Sequence, residues 1–281
     1  MSLGAMQDWP LRIMRLMDHA EREHGDREIV AARADGTTIR TNWRELANVA
    51  RRMAQALERL GLKPADRGAT MAMNHDRHLA AWFGVVGMGG VLHTLNPRLF
   101  DDQLTYIINH AEDRVILYDA AFQQMVDRLK PDLPAVAHWV RFDDEFDDWI
   151  AAEDGDYCWY EGDEREPCGL CYTSGTTGNP KGVLYEHRST VLHAMSIIVP
   201  DIFDLSACSV MLPVVPMFHA NSWCLPYAAA ITGLKLVVCA DNTPERICRL
   251  FNEEGVTHSA GVPTVWLNLI DYVEDTGASL G

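Results

Sequence analysis

Short apolar runs and longer stretches of helical spacing alternate along most of this chain. From position 68 the order is strand 68–73, helix 75–88, strand 91–95, helix 101–111, strand 114–118 and helix 120–130. The pattern resumes with a helix from about Arg188, strand 209–213, a helix from about Asn221 and strand 234–239. Helix 244–254, strand 257–261 and helix 263–274 follow. A helix between two strands returns the chain to its starting end, so neighbouring strands run parallel. Parallel strands need cover on both faces. The expected fold class is therefore α/β, layered sheets with flanking helices.

The first sixty residues add other elements. Apolar positions 11, 13, 14, 16, 17 and 20 have helical spacing. Residues 28–41 read as a β-hairpin turning at Asp35-Gly36. Trp43 to Leu60 reads as an amphipathic helix, capped by Asn42 and ended by Gly61. Met1-Ser-Leu lacks the regions of a signal peptide. Residues 1–5 read as an expression scar, with the native start near Met6. The acidic stretch 143–166 shows weak patterning and reads as a solvated connection.

The 281 residues carry a net charge of −16 and no basic run, which argues against a nucleic-acid surface. No apolar run approaches the ~20 residues of a membrane span. Seven scattered cysteines, mostly in apolar runs, suit buried reduced thiols and a cytoplasmic location. Cys168 and Cys171 form a C-x-x-C, but no second pair or nearby histidine completes a zinc site. His75 and His78 lie three apart on a helix and read as surface residues, while His187 begins a helix as a cap. Gly84, Gly87, Gly89 and Gly90 end a helix instead of opening one, which is wrong for a dinucleotide loop.

Residues 172–183 read Y-T-S-G-T-T-G-N-P-K-G-V. Hydroxyls at Thr173, Ser174, Thr176 and Thr177 can donate to phosphate oxygens or hold a metal ion. Gly175 and Gly178 let backbone N–H groups approach an anion, and Lys181 adds a compact positive charge. A solvated turn is the bland alternative. The usual P-loop needs Gly before the lysine, Ser or Thr after it, and a helix next. Here Pro180 precedes Lys181, Gly182 follows, and a strand comes next. A loop between two short strands, folded over a polyphosphate, fits better.

The run T-S-G-T-T-G-N-P-K-G resembles the phosphate-binding signature of the adenylate-forming (AMP-binding) superfamily. A second stretch, P-M-F-H-A-N-S-W-C-L-P-Y at 216–227, resembles a segment of medium- and long-chain fatty acyl-CoA synthetases. Segments 93–99 (H-T-L-N-P-R-L) and 261–266 (G-V-P-T-V-W) point the same way. The resemblance covers the N-terminal part of such an enzyme, the large domain of that fold, and implies ATP-dependent activation of a fatty acid. Acyl-adenylate and then acyl-CoA would form, with ATP, Mg2+ and coenzyme A as cofactor and co-substrates. Thr173, Ser174, Gly175, Thr176, Thr177, Gly178 and Lys181 would hold phosphates, with the Thr173 hydroxyl near the metal. His219 would sit beside the reacting carboxylate as the catalytic group. Trp223, with Val262 and Pro263 as weaker candidates, would line the acyl site.

The resemblance implies further motifs, Y-G-x-T-E, T-G-D and a late lysine, that this sequence does not contain. The chain is therefore expected to be truncated and inactive alone, with an unpaired sheet edge or exposed core face. The expected division is 6–165 as a first α/β subdomain and 166–281 as a second, incomplete one, with the small C-terminal domain absent. An aryl- or short-chain-acid CoA ligase is the alternative chemistry. A non-catalytic nucleotide- or acyl-binding or dimerisation module is the alternative class. Homodimerisation occurs in similar synthetases.

Overall fold

In the computed structural model, which describes residues 6, 8–173 and 179–280, the alternation becomes two sheets with helices packed around them. The chain opens with α1 (Ile13–His24), β1 (Glu28–Ala32), β2 (Thr38–Asn42) and α2 (Trp43–Arg59). The β1–β2 turn has Gly36 at φ +91°, and the Asn42 side chain accepts a hydrogen bond from the Glu45 N–H at the start of α2. Next come β3 (Arg67–Met71), α3 (Asp76–Gly87), β4 (Val91–Thr94), α4 (Asp101–Ala111), β5 (Asp113–Tyr118) and α5 (Gln123–Leu129).

β6 (His138–Arg141) and α6 (Asp144–Ala151) follow, the first just before and the second within the stretch 143–166 expected to be a connection. α6 forms because Phe146 and Ile150, one turn apart, reach the core while the acidic side chains between them face outward. β7 (Pro167–Thr173) and β8 (Lys181–Glu186) flank the Thr/Gly-rich loop. α7 (His187–Ile197), β9 (Val210–Pro213), α8 (Leu225–Thr232), β10 (Lys235–Cys239), α9 (Pro244–Glu254), β11 (His258–Ala260) and α10 (Pro263–Thr276) complete the described chain.

One sheet has the order β6-β5-β3-β4-β7-β8, parallel except for the β7–β8 hairpin. The other has the order β11-β9-β10-β1-β2, parallel except for the β1–β2 hairpin. Strand pairing crosses the 165/166 division in both directions. β1 pairs with β10, Val30 opposite Val237, and β4 pairs with β7, His93 opposite Leu170. The largest apolar cluster lies between the sheets and joins α1, α2, α3, α7 and α8. There Tyr227 packs 5.5 Å from Trp82 and 5.6 Å from Phe83, centroid to centroid. β8 is an edge strand with Val183 and Leu184 exposed, and α7 exposes Leu192 and Met195.

Two histidine expectations are corrected. His75 and His78 are buried, not surface residues. His75 caps α3 and hydrogen-bonds Asp119 through Nε2 at 2.7 Å. His78 sits between Met73, Thr70 and Trp82, because each ring nitrogen has a polar partner inside the core. His187 begins α7, but its Nδ1 accepts from the Ile13 N–H and so caps α1. Cys168 and Cys171 take different partners: Cys168 donates to the Tyr185 carbonyl, and Cys171 donates to Asn221 Oδ1. Among the described residues no cluster of three or more His, Cys, Asp or Glu can hold a metal.

Candidate active site

The carboxyl ends of parallel strands leave their last carbonyls and following loops at one edge of a sheet, where ligand crevices form. Here that edge is made by β4 and β7, and the segment leaving β9 in the other sheet crosses to meet it. Asn74, just past β3, anchors the crossing. Its amide donates to the Pro213 and Val215 carbonyls at 3.2 and 3.0 Å and accepts from the Met217 N–H at 2.7 Å. Asn74 is buried. Sequence reasoning passed over it, since one Asn between Met and His carries no pattern.

Beyond Met217 the backbone turns left-handed. Ala220, Asn221, Ser222, Trp223 and Cys224 have φ of 44°, 48°, 46°, 53° and 61°. The helix expected from about Asn221 therefore begins only at Leu225. Such a run is costly for L-residues, and tertiary bonds hold it. Asn221 Oδ1 accepts from the Cys171 thiol, and the Ser222 hydroxyl donates to the Val215 carbonyl at 3.1 Å. The turn puts His219 on the open side, exposed, and draws Trp223 half-way into the core. His219 and Trp223 are thus not one helical turn apart.

Two cavities flank this turn. A cavity of about 200 Å3 is lined by His93, Thr94, Tyr172, Thr173, Phe218 and His219 among others. A wider one of about 570 Å3 is lined by Trp223, Phe203, Ile197, His193 and Cys224 among others. Tyr185 and Ala220 belong to both walls. Burial pushes the Cys224 thiol up to about 12, so it remains protonated beside His193 Nδ1. Val262 and Pro263 are exposed at the start of α10 and line neither cavity.

The phosphate-loop residues divide into two groups. Thr173 and Lys181 are cross-strand partners in β7 and β8, so the hairpin fixes the two ends of the loop opposite each other. Both side chains are exposed, and Lys181 has no ion-pair partner among the described residues. Ser174, Gly175, Thr176, Thr177 and Gly178 lie outside the described residues. Thr173 offers one hydroxyl oxygen at the cavity rim. That suits a Mg2+ delivered on a nucleotide, which takes most of its ligands from phosphate and water.

The family model described as AMP-binding enzyme matches residues 17–279. The chain is 46% identical to a 3-methylmercaptopropionyl-CoA ligase of Ruegeria lacuscaerulensis, over 99% of this chain and 54% of that protein. It is 45% identical to a medium-chain-fatty-acid–CoA ligase of Ectopseudomonas oleovorans, over 95% of this chain and 52% of the relative. It is 44% identical to a long-chain-fatty-acid–CoA ligase of Thermus thermophilus, over 99% and 52%. Among solved structures, an anthranilate CoA ligase in complex with anthranoyl-AMP superposes with TM-score 0.88 at 19% identity, covering 98% of this chain and 54% of that one. A Mycobacterium tuberculosis fatty acyl CoA synthetase gives 0.83 at 22%, covering 92% and 51%. The chain spans about half the length of the curated relatives it matches. No described helix is long and apolar enough to cross a membrane.

Proposed function

Since the chain belongs to the AMP-binding enzyme family, we propose that the protein activates a medium- or long-chain fatty acid with ATP. Acyl-adenylate forms first, and the thiol of coenzyme A then displaces AMP to give acyl-CoA. The observation that supports this reading is that Thr173 and His219 line one strand-end crevice, with Lys181 paired opposite Thr173 in the hairpin and Trp223 on an apolar cavity behind it. The acid and ATP are both anions, so the site must offset charge where carboxylate oxygen meets the α-phosphorus. Lys181 and the loop from Thr173 to Gly178 hold the β- and γ-phosphates. The Thr173 hydroxyl adds one ligand to Mg2+, which offsets phosphate charge when bound. His219 orients the carboxylate. Trp223 walls the acyl chain, and Val262 and Pro263, exposed at the start of α10, stand outside that wall.

A second reading is favoured by the 46% identity to the 3-methylmercaptopropionyl-CoA ligase: a short thioether acid in place of a long alkyl chain. Acid-dependent ATP–pyrophosphate exchange by the full-length protein, run on straight-chain acids from propionate to palmitate and on 3-methylmercaptopropionate, tests both. Exchange greatest at eight or more carbons supports the first reading. A maximum on the thioether acid supports the second. Exchange driven only by benzoates removes both. The 281 residues alone, about half a relative's length, are expected to give negligible exchange.

A further inference from the structure

The smaller cavity has a polar wall that the functional reading leaves unused. His93 on β4 and Asp113 at the start of β5 are both 0% exposed. His93 Nδ1 lies 2.9 and 2.8 Å from the two carboxylate oxygens of Asp113. That fixes the ring, which also packs 5.3 Å from the Tyr172 ring. His93 lines the cavity together with Thr173 and His219. Its Nε2 is buried and has no hydrogen-bond partner among the described residues. Buried polar atoms in folded proteins are nearly always bonded, and an exception needs a reason.

We propose that His93, oriented by Asp113, is a binding residue of this cavity whose Nε2–H donates a hydrogen bond to an anionic oxygen of a substrate. The inference rests on the functional reading for the identity of those anions.

The polarity of the bond follows from charge. A dyad carrying a net −1 inside the protein is strongly disfavoured without a counter-charge. Arg67 is the nearby cation, but its guanidinium is engaged by Glu112 and the Ala111 carbonyl. Burial pushes the Asp113 carboxyl up, against the pull of His93 and Arg67. A neutral pair, with one proton more than a carboxylate beside a neutral imidazole, avoids that cost. That proton gives either carboxylate with imidazolium or carboxyl with neutral imidazole. In both forms Nε2 carries a hydrogen. Nε2 of this cavity-lining residue is thus a donor, and an oxygen of a carboxylate or of a phosphate completes it.

The test is made on the full-length protein with two probes, sodium octanoate and inorganic pyrophosphate. In 15N-histidine-labelled protein, long-range 1H–15N spectra should show His93 Nε2 protonated, and its resonance should move with one probe and not with octanol. The probe that moves it identifies the carboxylate or the phosphate as the source. An unprotonated Nε2 overturns the inference whatever the ligands do. By calorimetry, His93→Leu should weaken binding of that probe by about tenfold to a hundredfold, the range for a hydrogen bond to a charged group. His93→Gln, which keeps an N–H donor near Nε2, should stay within about threefold. Asp113→Asn still accepts from Nδ1–H but removes the need for the extra proton. Nε2 becomes an acceptor, so Asp113→Asn should lose as much as His93→Leu. Wild-type binding of neither probe sinks the functional reading and this inference together. Wild-type binding matched by His93→Leu sinks this inference alone.

Discussion

At the residue scale, single polar groups decide where the site can stand. Asn74 satisfies two carbonyls and one N–H in the segment that carries His219 across to the other sheet. Asn74→Ala takes this partner from the Pro213 carbonyl and the Met217 N–H, while the Val215 carbonyl keeps the Ser222 hydroxyl, and each orphaned group costs about 1–3 kcal/mol. A loss of about 2–4 kcal/mol in urea unfolding is expected, and an unchanged midpoint would show that the segment repacks without it. Two histidines set an acid limit on stability. Burial drives both His78 and His187 down to about 3, with Arg12 adding repulsion at His187. In the unfolded chain they titrate near ~6.5. Below that pH the unfolded state takes up protons that the folded state refuses. Stability therefore falls as pH drops from 6.5 towards 3, by about 1.4 kcal/mol per unit for each ring, and neither ring contributes pH dependence above 6.5. Denaturant titrations at pH 7.5, 6 and 5, where carboxylates hardly titrate, should show this slope. His187→Gln should roughly halve it; a slope that His187→Gln leaves unchanged would place the titrating group elsewhere.

At the element scale, local pattern was readable wherever local pattern governs. Strands β3, β4, β5, β9, β10 and β11 and helices α3, α4, α9 and α10 fall within a few residues of their expected spans, because strand and helix periods differ and the breakers are Gly and Pro. α6 was obscured by charge: its two core residues sit in a run of carboxylates, and their one-turn spacing outweighs the composition. The left-handed turn was beyond any such reading. No propensity favours five consecutive non-glycine residues at positive φ, and the partners that impose it, Cys171 and Val215, belong to other segments of the chain. Ala220 is exposed at φ 44°, so Ala220→Gly relieves strain of about 1–2 kcal/mol and gives back roughly 0.5–1 in chain entropy. A net gain of about 0.5–1 kcal/mol in unfolding free energy is expected. A loss would mean that position 220 is not held left-handed.

At the scale of the whole molecule, strand order decides how cooperative the chain must be. A reading along the sequence places the division at 165/166, where an acidic stretch meets the strand feeding the phosphate loop. The hairpin β1–β2 nevertheless completes the sheet of β9, β10 and β11, and β7–β8 completes the sheet of β3 to β6. Glu254 on α9 ties the first exchange down. Its buried carboxylate accepts from Arg40 on β2 and pairs with Lys235 on β10, and these bonds hold it below the usual carboxylate range against the cost of burial. The core crosses the same line, since Tyr227 on α8 fills the space beside Trp82 and Phe83 on α3. A chain of residues 6–165 would keep four parallel strands but expose that aromatic surface and leave β1–β2 as a bare hairpin, which is marginal in water. A chain of 166–281 would keep the three short strands β9, β10 and β11, leave β7–β8 as a second bare hairpin and lose the partner β1 of β10. Neither piece should therefore unfold cooperatively alone, whereas the two mixed should regain a single thermal transition and dispersed amide resonances. A sharp transition in 6–165 by itself would show that the helices α1, α2 and α3 close their own core, and that the interleaving of the sheets is not what holds the crevice together.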